Sequence, residues 1–363
     1  MAGMRTTLAL VLCALPFAAQ ATDFALGTTR SAGMGNAGLA LRGASFDMRP
    51  RNPALFAYQQ SFRLSDLSFG QFLFGANTSQ FGRFFGGLDN GGLDYNDLVD
   101  LAQDFGDEKV DAGLTAGFAA GGGGFNLALD ANALVTTRPN EELQQWVDQG
   151  SNEQAPVPGM RLDGYGYAQG QLAIGYGRFM DFGVPGQTAV GVNVRMVRAF
   201  YTHHRITDQN VGNGNATEAP ELGGRDFLER NGVGVDLGMY HQNGQVSYAF
   251  VVQNLVQPAV GFSAITPGSD LAPRSGIDPN QRSFNFGVAL QQREDLALAA
   301  DLVNLGTGQT DLRFGADLMF NRTFGARAGY STRDGWTVGG TVGGFHVALG
   351  SANNLRAGYF FRF

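Results

Sequence analysis

The sequence predicts an all-β protein, a transmembrane antiparallel β-barrel of about 14 strands with an N-terminal plug segment. The first observation behind this prediction is that residues 61–363 divide into runs in which apolar side chains alternate with polar or small ones. Side chains alternate across a strand, so each run would have one apolar and one polar face. The second observation is that every long connection between the runs falls at the same end of the predicted sheet.

The first 21 residues have the pattern of a secretory signal peptide. Arg5 precedes an apolar run from Leu8 to Ala19, and an A-x-A cleavage motif ends at Ala21. Cys13 lies inside this run, so the mature chain is expected to have no cysteine, which excludes disulfides, thiol redox chemistry and cysteine metal sites. The predicted organisation is a signal peptide (1–21), an N-terminal plug segment (22–60) and a barrel (61–363).

Composition narrows the class of protein. The chain has 54 glycines, 29 phenylalanines and only 16% charged residues, and no apolar run of 18 or more residues follows the signal peptide. The mean hydropathy of -0.10 is typical of strands whose residues face lipid and lumen in alternation. The formal net charge of -7 argues against nucleic acid as a partner, because a nucleic-acid surface would be basic.

The charged residues of each strand indicate which of its two faces points into the lumen. In the run 311–320, Asp311, Arg313 and Asp317 share one face, and Leu312 and Phe314 lie on the other. An arginine that faces lipid at mid-membrane costs about 2–4 kcal/mol, so the charged face is expected to point into the lumen. We expect internal ion pairing, ahead of ligand contact, among the lumen charges Arg195, Asp236, Asp301, Asp311, Arg313, Asp317, Arg327 and Arg356.

Connection lengths test the barrel independently. If the C-terminus is periplasmic, the connections on that side are short, and Asn243-Gly244 among them predicts a type I′ turn. The long connections then fall outside, over residues 75–112, 135–163, 202–231 and 256–282. Within the second of these, 140–148 is expected to form a short helix. A soluble sandwich would have no reason to separate short turns from long loops in this way.

Catalysis is not expected. The four histidines are His203, His204, His241 and His346, and no G-x-S-x-G motif is present to supply an activated serine. His203 and His204 are adjacent in a strand, so their side chains would point to opposite faces and could not share a metal. We therefore predict no enzyme activity, no metal and no cofactor.

The last nine residues, 355–363, alternate apolar and polar faces and end on Phe363. A soluble edge strand is the alternative, but such a strand rarely ends on its most aromatic turn. The pattern resembles the terminal strand by which outer-membrane barrels are recognised. This resemblance implies that the barrel-assembly machinery and outer-membrane lipid are partners, and that the protein lies in the outer membrane of a Gram-negative bacterium.

The N-terminal segment carries a more specific motif. The run R-S-A-G-M-G-N-A-G at 30–38, followed by N-P-A at 52–54, resembles the start of FadL-type transporters of hydrophobic compounds. A soluble glycine-rich lead-in strand is the alternative. In the FadL-type proteins this region forms a plug inside the barrel. The resemblance thus implies plug or ligand contacts at Gly33, Met34, Gly35, Asn52 and Pro53.

A second resemblance covers nearly the whole mature chain. The same N-terminal motif, N-P-A-L at 52–55, V-V-Q-N-L-V at 251–256 and R-A-G-Y at 327–330 and 356–359 resemble the barrel proteins named conjugal transfer protein TraF. Two functions follow from these resemblances. One is a channel for uptake of small apolar molecules, with a small hydrophobic ligand. The other is a structural or assembly component of a conjugative or cell-surface apparatus.

Overall fold

The computed structural model describes residues 29–42, 51–59, 63–74, 110–148, 158–207, 228–260, 280–293, 295–308, 310–321, 323–351 and 354–359. In this part of the chain there are fourteen strands. They are β1 Arg63–Phe74, β2 Val110–Gly122, β3 Phe125–Pro139, β4 Arg161–Met180, β5 Gln187–Thr207, β6 Leu228–Asn243, β7 Val246–Val256, β8 Ser283–Arg293, β9 Leu296–Leu305, β10 Asp311–Met319, β11 Phe324–Ser331, β12 Gly335–Val342, β13 Phe345–Gly350 and β14 Asn354–Tyr359.

All pairings are antiparallel, and all except β1–β14 join strands that are consecutive in the chain. β1 also pairs with β14, from Leu67 opposite Tyr359 to Gln71 opposite Leu355, so the sheet closes into a ring. The predicted all-β antiparallel sheet is confirmed. The last four residues, including Phe363, lie outside the described residues.

Three helical pieces accompany the ring in the described ranges. They are α1 (Thr29–Ala32), a 3-10 helix (Pro53–Tyr58) and α2 (Glu141–Asp148). The helix expected over 140–148 is thus present, and it begins after Asn140, whose Oδ1 accepts a hydrogen bond from the Leu143 N–H at 3.1 Å. Among the described residues, no helix is long and apolar enough to cross a membrane.

The connections separate between the two ends of the ring. At one end, which we call the turn end, no connection exceeds the six residues 181–186. At the other, the loop end, lie the connections 75–109, 140–160, 208–227 and 257–282. All four predicted loops were too long, most clearly where β3 runs on to Pro139 and β5 runs on to Thr207. Those extensions pair through polar residues, such as Asp163 opposite Arg205, and so they lack the apolar alternation that marks a strand in the sequence.

The β6–β7 hairpin corrects a turn prediction. Asn243 pairs with Val246, so the two turn residues are Gly244 and Gln245, not Asn243 and Gly244. Only Gly244 has a positive φ, of 62°, as a type II′ turn requires at its first central position. The expected type I′ turn was therefore wrong by one residue, because Asn243 remains in the β6–β7 ladder.

The two faces of the sheet differ sharply. On β8, Phe284, Phe286 and Val288 are exposed on the outer face, and Asn285 and Ala289 are buried on the inner face. The same alternation runs through β9 and β10. Aromatic pairs lie on the outer face near the turn end, with ring centroids 4.7 Å apart for Phe125 and Tyr176. The outer surface of the ring is therefore an apolar belt.

Candidate functional site

The inner face of the ring carries the polar side chains. Seven of the eight predicted lumen charges are at most 7% exposed and lie on the inner phase of their strands: Arg195, Asp236, Asp301, Asp311, Arg313, Asp317 and Arg327. The side chain of the eighth, Arg356, lies outside the described residues. This wall contacts two pieces of the N-terminal chain, which we call the first inner segment (29–42) and the second inner segment (51–59).

The first inner segment is joined to the wall by an ion-pair cluster. Arg30 Nε donates to Asp317 Oδ2 at 2.9 Å, and Arg327 Nε lies 3.0 Å from the other oxygen of the same carboxylate. His346 Nδ1 lies 2.9 Å from the hydroxyl of Thr341 and 3.4 Å from Arg327 Nη1. Asp317 therefore links the inner segment to two neighbouring strands, because Arg327 lies on β11.

Backbone amides of the first inner segment are held by wall side chains. The N–H groups of Gly38 and Leu39 both donate to Asp301 Oδ2, at 2.6 and 3.0 Å. The Gly35 N–H donates to Thr337 Oγ1 at 2.7 Å. These donors satisfy polar wall groups that the ring buries, and an unpaired buried group would cost about 1–3 kcal/mol.

Gly33, Met34 and Gly35, predicted as plug or ligand contacts, lie against the wall at β10–β12. A Cβ on wall residue Gly329 would lie 2.0 Å from the Met34 carbonyl carbon, and one on Gly315 would lie 2.7 Å from the Met34 carbonyl oxygen. Gly35 has φ of 66° and its N–H reaches the wall, so a side chain there would be strained. The backbone of the inner segment thus touches the sheet directly.

Asn52 and Pro53, the other two predicted contacts, begin the second inner segment. Asn52 Oδ1 accepts from the Ala54 N–H at 3.0 Å and caps the 3-10 helix. Its Nδ2 donates to the carbonyl of Met239 on β6 at 3.0 Å. Asn52 has no exposed surface, so one side chain both starts the helix and ties it to the wall.

The second inner segment packs on wall glycines. A Cβ on Gly191 would lie 2.2 Å from the Pro53 carbonyl oxygen, and one on Gly177 would lie 2.7 Å from the Ala57 nitrogen. At Gly175 it would lie 2.1 Å from the Phe56 ring. Because contacts under 3.0 Å are sterically forbidden, only glycine fits at these wall positions while the segment is in place.

Away from the N-terminal chain, the inner face holds a polar network on β3–β7. Arg195 Nε lies 2.9 Å from Asp236 Oδ2, and its Nη1 donates to Gln171 Oε1 at 3.3 Å. Arg195 also donates to Asn254, whose N–H donates to Asp236 at 2.8 Å. Gln171 Nε2 in turn donates to Asp130 at 3.1 Å. The network links five strands, from β3 to β7, and fills this part of the lumen wall.

A second buried pair lies within one strand. Arg313 Nε donates to Asp311 Oδ2 at 2.6 Å, and Ser331 Oγ donates to both Asp311 oxygens. Both charged side chains are almost completely buried. The lumen charges thus lie in ion pairs or hydrogen bonds with one another and with the first inner segment.

Two solved structures that share this fold are a channel and a transporter by name. The toluene transporter TodX of Pseudomonas putida matches with a TM-score of 0.50 and 14% identity, over 95% of this chain and all of that chain. The deltaS2S3 mutant of TodX, a monoaromatic hydrocarbon channel, matches with a TM-score of 0.53 and 12% identity, over 94% and 100%. This chain shares their fold. The all-β antiparallel fold expected from the sequence is thereby confirmed.

No protein-family model and no curated protein sequence matches the chain. The resemblance to the TraF-named barrels therefore rests on sequence motifs alone.

The second inner segment ends at the turn end of the ring in two contrasting residues. The Tyr58 ring packs edge-on against Phe179 and Tyr240 and lies 5.2 Å below the Arg42 guanidinium. Burial, with the nearby Tyr240, raises the pKa of Tyr58 above its ordinary value. Gln59 is 6% exposed, and neither its amide oxygen nor its amide nitrogen has a hydrogen-bond partner.

Sequence reasoning missed several residues of this arrangement: Arg30, Thr337, Gln59 and the wall glycines Gly175, Gly177, Gly191, Gly315 and Gly329. For the glycines, the alternation of faces along each strand could have predicted which of them point into the lumen. Gly315 lies between Arg313 and Asp317 on the same face, so the alternation that turns those charges inward also turns Gly315 inward.

The two histidines whose side chains are described, His241 and His346, do not share a site. His241 Nδ1 lies 2.9 Å from the Thr188 hydroxyl at the turn end, and His346 belongs to the Arg327 cluster. The side chains of His203 and His204 lie outside the described residues. In the described parts of the chain, no group of three or more His, Cys, Asp or Glu side chains is placed to hold a metal ion.

Proposed function

We propose that the protein is an outer-membrane channel for the uptake of small apolar molecules, with the N-terminal segment as its plug. The observation that carries the proposal is the seating of the two inner segments. The first reaches Asp301 and Asp317 on β9 and β10, and the second reaches Met239 on β6 and Gly177 on β4. A segment bound to separate sides of a closed ring obstructs its bore.

The outer face supports a membrane location. Val194 and Met196 are exposed on β5, and the next outward residue, Arg198, pairs with Glu229 at 2.7 Å. An arginine facing the lipid core costs about 2–4 kcal/mol, so this pair marks where the lipid ends toward the loop end. The turn end would face the periplasm, and the C-terminal strand β14 would be the element read by the barrel-assembly machinery.

We infer that the described state is closed. Wall residues Asp301, Asp311, Arg313 and Asp317 are at most 2% exposed, although they face the bore. Side chains that line an open water-filled pore would be accessible. Uptake therefore requires the inner segments to shift, and the bonds to Asp301 and Asp317 are the contacts that must open.

The proposed cargo is an apolar molecule of the size of toluene. Support comes from the shared fold with a toluene transporter and a monoaromatic hydrocarbon channel. The resemblance of the 30–38 and 52–54 motifs to FadL-type transporters points the same way. No observation in the described residues favours an assembly component over a channel.

A reversible cross-link tests the plug. The Cβ of Leu39 lies 2.8 Å from the position of a Cβ on wall residue Gly287, so a shift of about 1 Å brings Leu39→Cys and Gly287→Cys to the 3.5–4.5 Å spacing of a disulfide. Cells that lack the native gene and express the double variant should take up radiolabelled toluene when reduced. They should lose that uptake when oxidised, because the first inner segment cannot leave β8.

The Gly287→Cys single variant is the matched control, since it has the same wall change but cannot cross-link. Its uptake should not respond to oxidation. Toluene uptake that is the same with and without the native gene would reject the channel. Uptake that persists in the fully cross-linked protein would reject the moving plug while leaving the channel in place.

A further inference from the structure

Gln59 is fixed where the second inner segment meets the turn end. Its N–H donates to the Phe56 carbonyl at 2.9 Å, and its carbonyl accepts from the Gly124 N–H in the β2–β3 turn at 3.2 Å. The backbone is therefore held on both sides. The side chain is buried, yet both of its amide atoms are unpartnered.

The amide lies over a face of small residues. Gln59 Oε1 is 3.1 Å from the position of a Cβ on Gly121, which faces inward on β2. The neighbouring inward residues Ala119, Ala128 and Ala173, on β2, β3 and β4, pack against one another. Asn126, the buried partner of Gly121 on β3, adds one amide beside these alanines, so the face opposite Gln59 is made of small, mostly apolar side chains.

A buried amide without a hydrogen-bond partner favours ligands that can both donate a hydrogen bond to it and accept one from it. Its nitrogen donates and its oxygen accepts, and leaving either unpaired in an apolar site is costly. A pure hydrocarbon satisfies neither atom, and a carboxylate can only accept. A hydroxyl group can accept from the nitrogen and donate to the oxygen, and its hydrocarbon body fits a face of alanine and glycine.

We propose that Gln59 is a specificity-determining residue that favours small apolar molecules carrying one hydroxyl group, such as phenols, where they leave the channel. This inference rests on the proposed channel function and names its substrate class. Molecules would meet the amide after passing the first inner segment, at the turn end where Gln59 adjoins the β2–β3 turn.

The pair p-cresol and toluene isolates the hydroxyl, because the two differ in that group alone. Binding of each radiolabelled compound is measured by equilibrium dialysis with the purified full-length protein in detergent, corrected for empty micelles. Gln59→Met keeps the length of the side chain and removes both hydrogen-bonding atoms. It should weaken p-cresol binding about tenfold, the typical value of one or two neutral hydrogen bonds, and leave toluene binding unchanged.

Gln292→Met is the matched control, because Gln292 is exposed at the end of β8 and away from the inner segments. Equal changes for both compounds in Gln59→Met, or no change in either, would overturn the assignment to Gln59. A wild-type protein that does not prefer p-cresol over toluene would overturn it without any variant, even if Gln59→Met failed to fold. These outcomes leave the channel function standing, because that function fails on a separate result: toluene that enters cells no faster with the gene than without it.

Discussion

The first and the second inner segments contact the same wall through different chemistry. The first presents a guanidinium and backbone N–H groups to the carboxylates of Asp317 and Asp301. The second, apart from Asn52, lies with its backbone and the Phe56 ring against Gly175, Gly177 and Gly191. Both segments fit against wall glycines, but the first adds charged and directed contacts, whereas the second has a directed wall contact mainly at Asn52.

The difference indicates how each segment could be released. Hydrogen bonds to a carboxylate can exchange for bonds to water as a segment moves, so their breaking is stepwise. The fit of the second segment against the wall glycines is lost in a single step when that segment moves away from the wall, because glycine has no side chain that could keep the contact. We therefore infer that the first segment is the one that moves during uptake and the second is the anchor.

The largest effect is expected at Asp317. Asp317→Asn leaves Arg327 buried beside a neutral amide and removes the charge that holds Arg30. Breaking a buried ion pair costs about 3–5 kcal/mol, and the free energy of unfolding in urea should fall by that order. Asp295→Asn, in the exposed pair with Arg293, is the control and should cost less than about 1 kcal/mol.

Hydrogen exchange on the same variant sharpens the comparison. Exchange at Gly38 and Leu39 should accelerate in Asp317→Asn, and exchange at Ala57 in the second segment should not. Equal acceleration in both segments would show that they are released together, and the division into a moving and an anchoring segment would be wrong.

An intermediate effect is expected at the wall glycines. Gly191→Ala places a methyl group 2.2 Å from the Pro53 carbonyl oxygen and should lower the free energy of unfolding by about 1–3 kcal/mol. Gly170→Ala is the control, because a Cβ there meets nothing within 4 Å. It should be neutral or slightly stabilising, since alanine loses less entropy on folding. Equal values for the two variants would contradict steric docking of the second segment.

The charges of the site could be predicted from the sequence and its steric fit could not. Moving the side chain of Asp301 or Asp317 from water into lipid has a large free-energy cost, so each of these residues must lie on the lumen face of its strand. Gly191 has almost no such cost, so it is compatible with either the lipid face or the lumen face. Its contact with Pro53 also joins residues far apart in the chain, and no local pattern records which inward glycine meets which part of the inner segment.

The ends of the long strands were missed for a related reason. Apolar alternation marks a strand only where one face meets lipid. β5 continues past Arg198 to Thr207, beyond the apolar belt, so its last residues read as a loop in the sequence although they pair with β4 as far as Arg161. Arg30 was missed because it lies in a four-residue helix, where no strand phase fixes its direction.

The smallest effect is expected at Asn52, where the second segment uses a directed bond. Asn52→Ala removes the cap on the Ala54 N–H and the donor to the Met239 carbonyl, and both partners stay buried. The loss should be about 1–2 kcal/mol, because a helix cap is typically worth about 1 kcal/mol and the second bond adds to it. Asn321→Ala is the matched control: its Oδ1 accepts from the Thr323 and Phe324 N–H groups in an exposed turn, where water can replace it. Urea unfolding of the two variants in lipid vesicles compares them directly. If Asn52→Ala cost as much as Asp317→Asn, directed bonds rather than shape would hold the second segment, and the contrast between the two segments would not stand.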